Sequence, residues 1–363
     1  MSEKIIKLLN NGLRQGVYPG AVLLVSKKQE VVFFSSVGYR SRMPEILPMK
    51  KDTVFDLASL TKPLATTVAI MKLVNDGVLD LDTPIPSIVT PFPWKDKMDI
   101  TVRLLLNHSS GLKDWKPFYL ELLKNPLKER KPILRRLIME APLVSSPKKV
   151  SMYSDLGFMI LEWIIEIISG KNLGSYLNEE FYHLLALKNM YFDNISETVG
   201  YKKRACAATE DCAWRGGVIQ GHVHDETAYV LGGYSGHAGL FGTAQDIFTV
   251  INELLKMYYG ISNGLLKENV LRTFFTRQNL IPESTWALGW DTPSLKNSSS
   301  GNYFSQNSIG HLGFTGTSVW IDLERYICVI FLTNRIHPDR KNEMIRVFRP
   351  EIHNLVMNEF AHV

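Results

Sequence analysis

The sequence has no long hydrophobic run, little cysteine and no massed charge, and each absence removes a class of protein. No apolar stretch reaches the roughly 18 residues that a membrane-spanning helix requires. The opening segment Met1-Ser2-Glu3-Lys4-Ile5-Ile6-Lys7-Leu8-Leu9 mixes charged and apolar residues instead of forming the continuous core of a secretory signal, so a cytoplasmic protein is expected. Three cysteines in 363 residues, Cys206, Cys212 and Cys328, are too few and odd in number for a disulfide framework and suit a reducing compartment. A Cys206–Cys212 pairing, covalent or through a metal, is the alternative they leave. The net charge of +5 is spread along the chain. Its short basic clusters, Lys124 to Lys131 and Lys202 to Arg204, read as solvated faces and not as nucleic-acid contacts. Internal repeats, low-complexity tracts and glycine-rich phosphate loops are also missing; Asn297 to Asn302 is the most loop-like stretch.

What is present is ordinary for a globular enzyme: 45% hydrophobic and 21% charged residues, in a chain long enough for one large domain with an insertion or for two domains. Residues 3 to 15 read as a helix. Ala21 to Ser26 and Glu30 to Gly38, rich in β-branched and aromatic residues and split by Lys27-Lys28-Gln29, predict a hairpin. Lys62 to Asp76 reads as a helix closing at Gly77; Pro63 is compatible with it because a first-turn proline forfeits an N–H with little intrahelical use. From about 80 to 250 the pattern is mainly helical, at Val102 to Leu106, Pro117 to Leu123, Ile133 to Glu140, Leu156 to Ile168 and Asn172 to Leu185. Beyond 308 it returns to strands, Ser318 to Asp322 and Tyr326 to Leu332 around the turn Leu323-Glu324-Arg325, followed by an amphipathic helix over 339–361. The expected fold is α+β, an antiparallel sheet assembled from both ends of the chain and flanked by helices, with an inserted helical domain. The expected division is 1–79 with 250–363 for the sheet domain and 80–249 for the insertion, with an active site at their interface.

Three segments carry chemistry. Ser59-Leu60-Thr61-Lys62 places a serine and a lysine at i and i+3, on one face of a helix start, where the amine can reach the hydroxyl and the helix N-terminus favours a developing oxyanion. An N-cap serine followed by an exposed lysine would give the same pattern. Tyr153-Ser154-Asp155 lies on a loop entering a helix and can aim two side chains into a cleft; its plain explanation is an Asp155 N-cap with Tyr153 packed behind it. His311-Leu312-Gly313, opening Phe314-Thr315-Gly316-Thr317-Ser318, lets backbone approach a substrate closely and can offer an N–H. In this order and context the three elements resemble those of the serine β-lactamase and penicillin-binding-protein-like hydrolases, in the branch near class C β-lactamases and their esterase relatives. Thr101 to Leu112, Phe55 to Lys62 and Gly236-His237-Ala238-Gly239-Leu240 extend the likeness over nearly the whole chain.

That resemblance implies a β-lactamase/transpeptidase-like fold and an acyl-enzyme on Ser59 without a cofactor. Lys62 and Tyr153 would handle protons, and His311 would take the family's lysine or histidine position, orienting the tyrosine hydroxyl or the substrate. The backbone N–H groups of Ser59 and Phe314 would form the oxyanion hole, with Asp155, Gly313 and His224 contacting substrate. Lys62 can act as a base only if burial or nearby positive charge lowers its pKa. Asp155 stands where penicillin-recognising members carry asparagine, and a carboxylate accepts but cannot donate. Leu312 replaces the hydroxyl of Lys-Thr-Gly, and His311 is cationic only when protonated. These departures weaken β-lactam recognition and leave acyl transfer intact. The expectation is therefore a serine hydrolase of small esters, amides or peptides. A murein DD-carboxypeptidase with weak β-lactamase activity is its rival, and a sensor that acylates without turnover is a third reading. His222, His224 and His237 suggest a metal site by spacing, His-x-His placing two rings on one side of a strand, but fit a metal-independent loop better, so no metal is expected. His108 reads as structural. Trp214-Arg215 and Trp286 to Trp290 serve equally as cleft wall or core.

Overall fold

The computed structural model describes residues 2–90, 93–195, 205–262 and 264–361; the Lys202 to Arg204 cluster lies outside them. The strands, in chain order, are β1 (Gly20–Lys27), β2 (Glu30–Ser41), β3 (Leu47–Pro48), β4 (Phe55–Asp56), β5 (Tyr191–Phe192), β6 (Ala208–Cys212), β7 (Gly217–Gln220), β8 (Leu240–Gly242), β9 (Ser308–Leu312), β10 (Ser318–Asp322) and β11 (Ile327–Thr333). Six of them form one sheet in the order β3-β2-β1-β11-β10-β9, every neighbouring pair antiparallel. The two ends of the chain meet at its centre, where Ala21 pairs with Thr333 and Lys27 with Ile327. Lys28 and Gln29, both at positive φ (45° and 72°), close the β1–β2 hairpin with a two-residue turn, a conformation whose twist matches the strands it joins.

The period of two in β1 decides which layer each side chain joins. Ala21, Leu23 and Val25 face the helices Ser2–Arg14 and Ile345–Phe360, in a core with Ile5, Leu9, Phe331, Phe348 and Ile352. Val22 and Leu24 face the other way, into the large core that also holds Leu64, Val68, Phe158, Ile251, Ile330 and Leu332. With both faces covered, β1 and β11 are buried along nearly their whole length, which is why they read as continuous apolar runs and not as alternating ones.

The predicted hairpin, the C-terminal strands and the helices of the middle region are all present. The middle region is less uniformly helical than its sequence suggests: β8 pairs with β4 and β5, and β6 pairs with β7. These strands are two to five residues long, too short to set up a period. Residue 250 falls inside the helix Ala244–Tyr258, so a division there would cut a continuous helix, and one core cluster contains residues from both sides of it. The last helix begins at Ile345 and not at 339. The predicted 62–76 helix opens with a wider turn, Lys62–Thr66, before the regular helix Thr67–Asn75, and Gly77 at φ 72° ends it. The carbonyl of Leu64 in that wide turn accepts a hydrogen bond from the Tyr182 hydroxyl at 2.8 Å. No disulfide joins the three cysteines, all of them buried, and no described helix is long and apolar enough to cross a membrane.

Candidate active site

Ser59 sits in a short 3-10 turn, Ala58–Leu60, directly ahead of Lys62. The turn is held from several directions. The buried carboxylate of Asp56 accepts the Ala58 N–H at 2.9 Å and the His224 N–H at 2.7 Å. Burial pushes the Asp56 carboxyl up to about 6 even though these donors favour its ionised form. Thr61 donates its hydroxyl to the Ala58 carbonyl at 2.7 Å and accepts the Leu240 N–H at 3.1 Å. Ala58 adopts φ 47°, a left-handed conformation that disfavours a side chain by about 1–2 kcal/mol; the bonds around it maintain that backbone directly before the serine.

Lys62 lies behind Ser59 and is fully buried. Its Nζ donates to Ser59 Oγ at 3.0 Å and to the His237 carbonyl at 3.2 Å, and stands 2.7 Å from Asp155 Oδ1. Burial alone would lower its pKa, but the attraction and hydrogen bond of Asp155 outweigh that, with a further contribution from Tyr153, and the ammonium is held above its ordinary value. The lysine is therefore a cation at rest, contrary to the condition under which it could be a base. Tyr153 presents its ring 4.8 Å from Lys62 Nζ. Burial raises the pKa of its phenol; the adjacent Lys62 charge and hydrogen bonds to Lys62 and Ser59 only partly offset this, so the phenol also keeps its proton.

The loop carrying Tyr153 is fixed by His108, which follows the helix Val102–Leu106 at φ 57°. Its carbonyl accepts Met152 N–H at 2.8 Å, its Nδ1 accepts Ser154 N–H at 3.0 Å, and its ring packs 4.7 Å from that of Tyr153. The structural reading of His108 fits these contacts. The N-cap of the helix Asp155–Ser169 is Ser154, whose hydroxyl accepts from Gly157 N–H. Asp155 is thereby released from the capping role considered for it and turns to Lys62.

Leu312 ends β9, an edge strand of the sheet, and Gly313-Phe314 follow it. Thr315 Oγ1 donates to the Asp56 carbonyl at 2.8 Å and Thr317 Oγ1 to the Leu57 carbonyl at 3.1 Å, which pins this turn to the serine segment. A Cβ on Gly313 would lie 2.0 Å from Thr317 Oγ1 and 2.6 Å from the Leu57 carbonyl oxygen, so the glycine is required by close backbone packing. His311 is buried, and burial together with the Lys62 charge pushes its pKa down to about 3. Its ring is neutral, with Nδ1 2.9 Å from the Leu312 carbonyl, so that nitrogen carries the hydrogen. A lysine-like charge at this position is absent.

Ser59, Tyr153, Asp155, His224, His311, Gly313 and Phe314 all line one cleft of about 750 Å³. Trp286 and the half-exposed Trp115 contribute aromatic wall, whereas Trp290 is buried against Phe275. Trp214, exposed, stacks on Tyr119 at the mouth. The His224 ring is engaged by Glu210 at 2.9 Å and stacks on Phe314. The histidines weighed as metal ligands point to different carboxylates: His222 to Asp193 (3.5 Å), His224 to Glu210 and His237 to Asp225 (3.0 Å). Their segment is not a strand, so the one-sided geometry supposed for His-x-His does not arise. Among the described residues no group of His, Cys, Asp and Glu is arranged to hold a metal ion. Asp56, Thr315 and Thr317 lie in the quoted segments without an assigned role, because their side chains bond backbone carbonyls and amides that every residue carries.

This fold and this cluster define a serine-lysine-tyrosine site on a penicillin-binding-protein-like scaffold. A sequence model of the family described as Beta-lactamase matches residues 5–351, and the chain belongs to that family. It is 34% identical to the N-acetylmuramyl-L-alanine amidase of Bacillus subtilis (strain 168), over 92% of this chain and 81% of that one. It is 30% identical to an Escherichia coli (strain K12) protein whose name proposes a D-alanyl-D-alanine carboxypeptidase, over 88% and 79%. Among solved structures it resembles EstCE1, a hydrolase with promiscuous acyltransferase activity, with a TM-score of 0.73, 22% identity and coverage of 96% and 98%.

Proposed function

We propose that the protein is a serine hydrolase acting on small esters, amides or peptides through an acyl-enzyme on Ser59. The observation that carries this reading is Lys62 Nζ 3.0 Å from Ser59 Oγ and 4.8 Å from the centre of the Tyr153 ring, at the wall of a substrate-sized cleft. Because both Lys62 and Tyr153 are protonated at rest, no free base is needed in the scheme. As Ser59 Oγ attacks the carbonyl carbon, its proton passes to the Tyr153 oxygen and the Tyr153 proton passes to the leaving group, so one phenol serves as acceptor and donor. The Lys62 ammonium stabilises the developing alkoxide, and the N–H groups of Ser59 and Phe314 would receive the oxyanion. In deacylation water attacks the acyl carbon and gives a proton to Tyr153, and the phenol returns one to Ser59 Oγ as the ester bond breaks and the acid leaves.

Relatives named as an amidase and as a proposed carboxypeptidase support amide bonds in cell-wall-type peptides as the alternative to simple esters. The test is a panel of p-nitrophenyl short-chain esters, D-amino acid amides, D-Ala-D-Ala peptides and a chromogenic cephalosporin. The wild type should turn over an ester or small amide and hydrolyse the cephalosporin slowly. Ser59→Ala should lose activity by on the order of 10³-fold or more with an unchanged melting temperature. Undiminished hydrolysis by Ser59→Ala would overturn the reading.

A further inference from the structure

Beside the mouth of the cleft, the segment 113–130 presents an apolar face that no described residue covers. Trp115, Leu120, Leu123, Leu127 and Trp214 are each between 39% and 54% exposed. Single exposed apolar side chains are ordinary, but a group of them in one place marks a surface that meets something. These five are joined through their neighbours. Leu120 and Leu123 lie at i and i+3 on the helix Tyr119–Leu122 and its continuing turn, while Leu122 between them is buried. Tyr119 stacks on Trp214 with ring centres 5.9 Å apart, and Trp214 meets Tyr229 edge-on at 5.9 Å. The turn after Tyr229 runs against Leu127, whose methyl groups stand 3.6 Å and 3.9 Å from where a Cβ on Gly232 would lie. Arg130 fixes that side by donating to the Val230 carbonyl at 2.7 Å. Trp214 is also held by Arg215, whose guanidinium lies 4.8 Å from its ring centre and donates to the Val223 and His224 carbonyls. The exposed indole is therefore fixed in place.

The rim of this face is basic. Lys113, Lys116, Lys124, Lys128 and Arg130 stand against Asp114, Glu121 and Glu129. Lys124 pairs with Glu121, whereas Lys113, Lys116 and Lys128 form no ion pair with any described residue. We propose that this face docks on the headgroup surface of an anionic lipid bilayer. Tryptophan and tyrosine favour the boundary between water and hydrocarbon, leucines enter it, and lysines are attracted by anionic headgroups. A second copy of the chain fits the face less well, because a two-fold contact would bring the same unpaired lysines together. Trp115 and Tyr119 also line the cleft, so the docked protein holds its cleft mouth against the headgroups. The inference needs neither the chemistry of Ser59 nor a particular substrate.

Vesicle co-sedimentation of the Ser59→Ala protein is the test, since binding is then read without turnover. Vesicles of equal parts phosphatidylcholine and phosphatidylglycerol should carry the protein down. Vesicles of phosphatidylcholine alone should leave it in solution, and added salt should release it from the anionic ones. Leu120→Glu combined with Leu123→Glu should weaken binding about tenfold or more. Lys116→Gln combined with Lys128→Gln leaves the apolar face intact and should weaken it by about the same factor. Both variants should melt at the temperature of their parent. No binding to anionic vesicles, equal binding to neutral ones, or undiminished binding by either variant would overturn the proposal. So would self-association of the parent that the leucine substitutions abolish, which would give the face to a second copy. Anionic-vesicle binding by a protein that hydrolyses nothing would sink the hydrolase reading and leave the docking face standing.

Discussion

Asp155 decides the protonation state of the site. Its carboxylate, 2.7 Å from Lys62 Nζ, holds the lysine charged despite complete burial, so Lys62 is assigned an electrostatic role and not that of a base. The alkaline limb of kcat/KM should then report loss of the Lys62 proton and lie above the ordinary lysine range. Asp155→Asn removes the interaction that raises this pKa, and the limb should move to lower pH in a profile measured with a p-nitrophenyl ester. An unmoved limb, or one displaced upward, contradicts the assignment. The candidate serine and lysine were legible in sequence as an i, i+3 pair, and the candidate tyrosine through the resemblance that the Tyr153-Ser154-Asp155 segment carries. The ionisation of Lys62 was not, because it depends on a carboxylate 93 positions away along the chain.

The turn after β9 and the segment before Ser59 act as one piece at the level of elements. Thr315, Thr317 and the bare Cα of Gly313 bring them into backbone contact. Gly313→Ala inserts a methyl group 2.0 Å from Thr317 Oγ1, and an overpacked contact of this kind destabilises by roughly 1–3 kcal/mol. Chemical denaturation should show that loss, together with a fall in kcat as the turn moves off Ser59. Wild-type stability and activity in Gly313→Ala would remove the role given to the contact. The helix Ile345–Phe360 offers a pH-dependent counterpart. His353 is buried and held neutral, pushed down to about 3 by burial and by Arg349. Its folded pKa lies below the unfolded value near 6.5, so the unfolded chain binds the extra proton. The stability His353 supports is complete above about 6.5 and is lost as the pH falls toward 3. His353→Gln, compared with the wild type by denaturation at a series of pH values, should flatten the pH slope across that window; parallel slopes would contradict it. The element pattern was readable where a long apolar run was bounded by turn residues, as in β1, β11 and the helix Asp155–Ser169. It failed for strands of two to five residues, and for residues 339–344, where the amphipathic pattern begins before the helix does.

On the scale of the whole molecule, the two ends of the chain build the sheet and the middle supplies Tyr153, Asp155 and His237. The nucleophile segment lies between these parts. Thr66 donates to the Gly236 carbonyl at 2.6 Å, and Glu162 accepts Ser235 Oγ at 2.9 Å and Gly236 N–H at 2.8 Å, so the loop that receives Lys62 is fixed to the helix Asp155–Ser169. The fold class could be read from the chain because strand-like ends and a helical centre leave few ways to assemble one sheet. Buried Arg349 could not, since nothing in its sequence context marks an arginine whose Nε has no hydrogen-bond partner. The central claim is acyl transfer to Ser59, and intact-protein mass spectrometry tests it most directly. After mixing with a fluorophosphonate, the wild type should gain one adduct that peptide mapping places on Ser59, and Ser59→Ala should gain none. With a rapidly quenched p-nitrophenyl ester, an acyl mass should appear on Ser59 and disappear as product forms. An adduct on another residue, or labelling of Ser59→Ala equal to that of the wild type, would contradict the account.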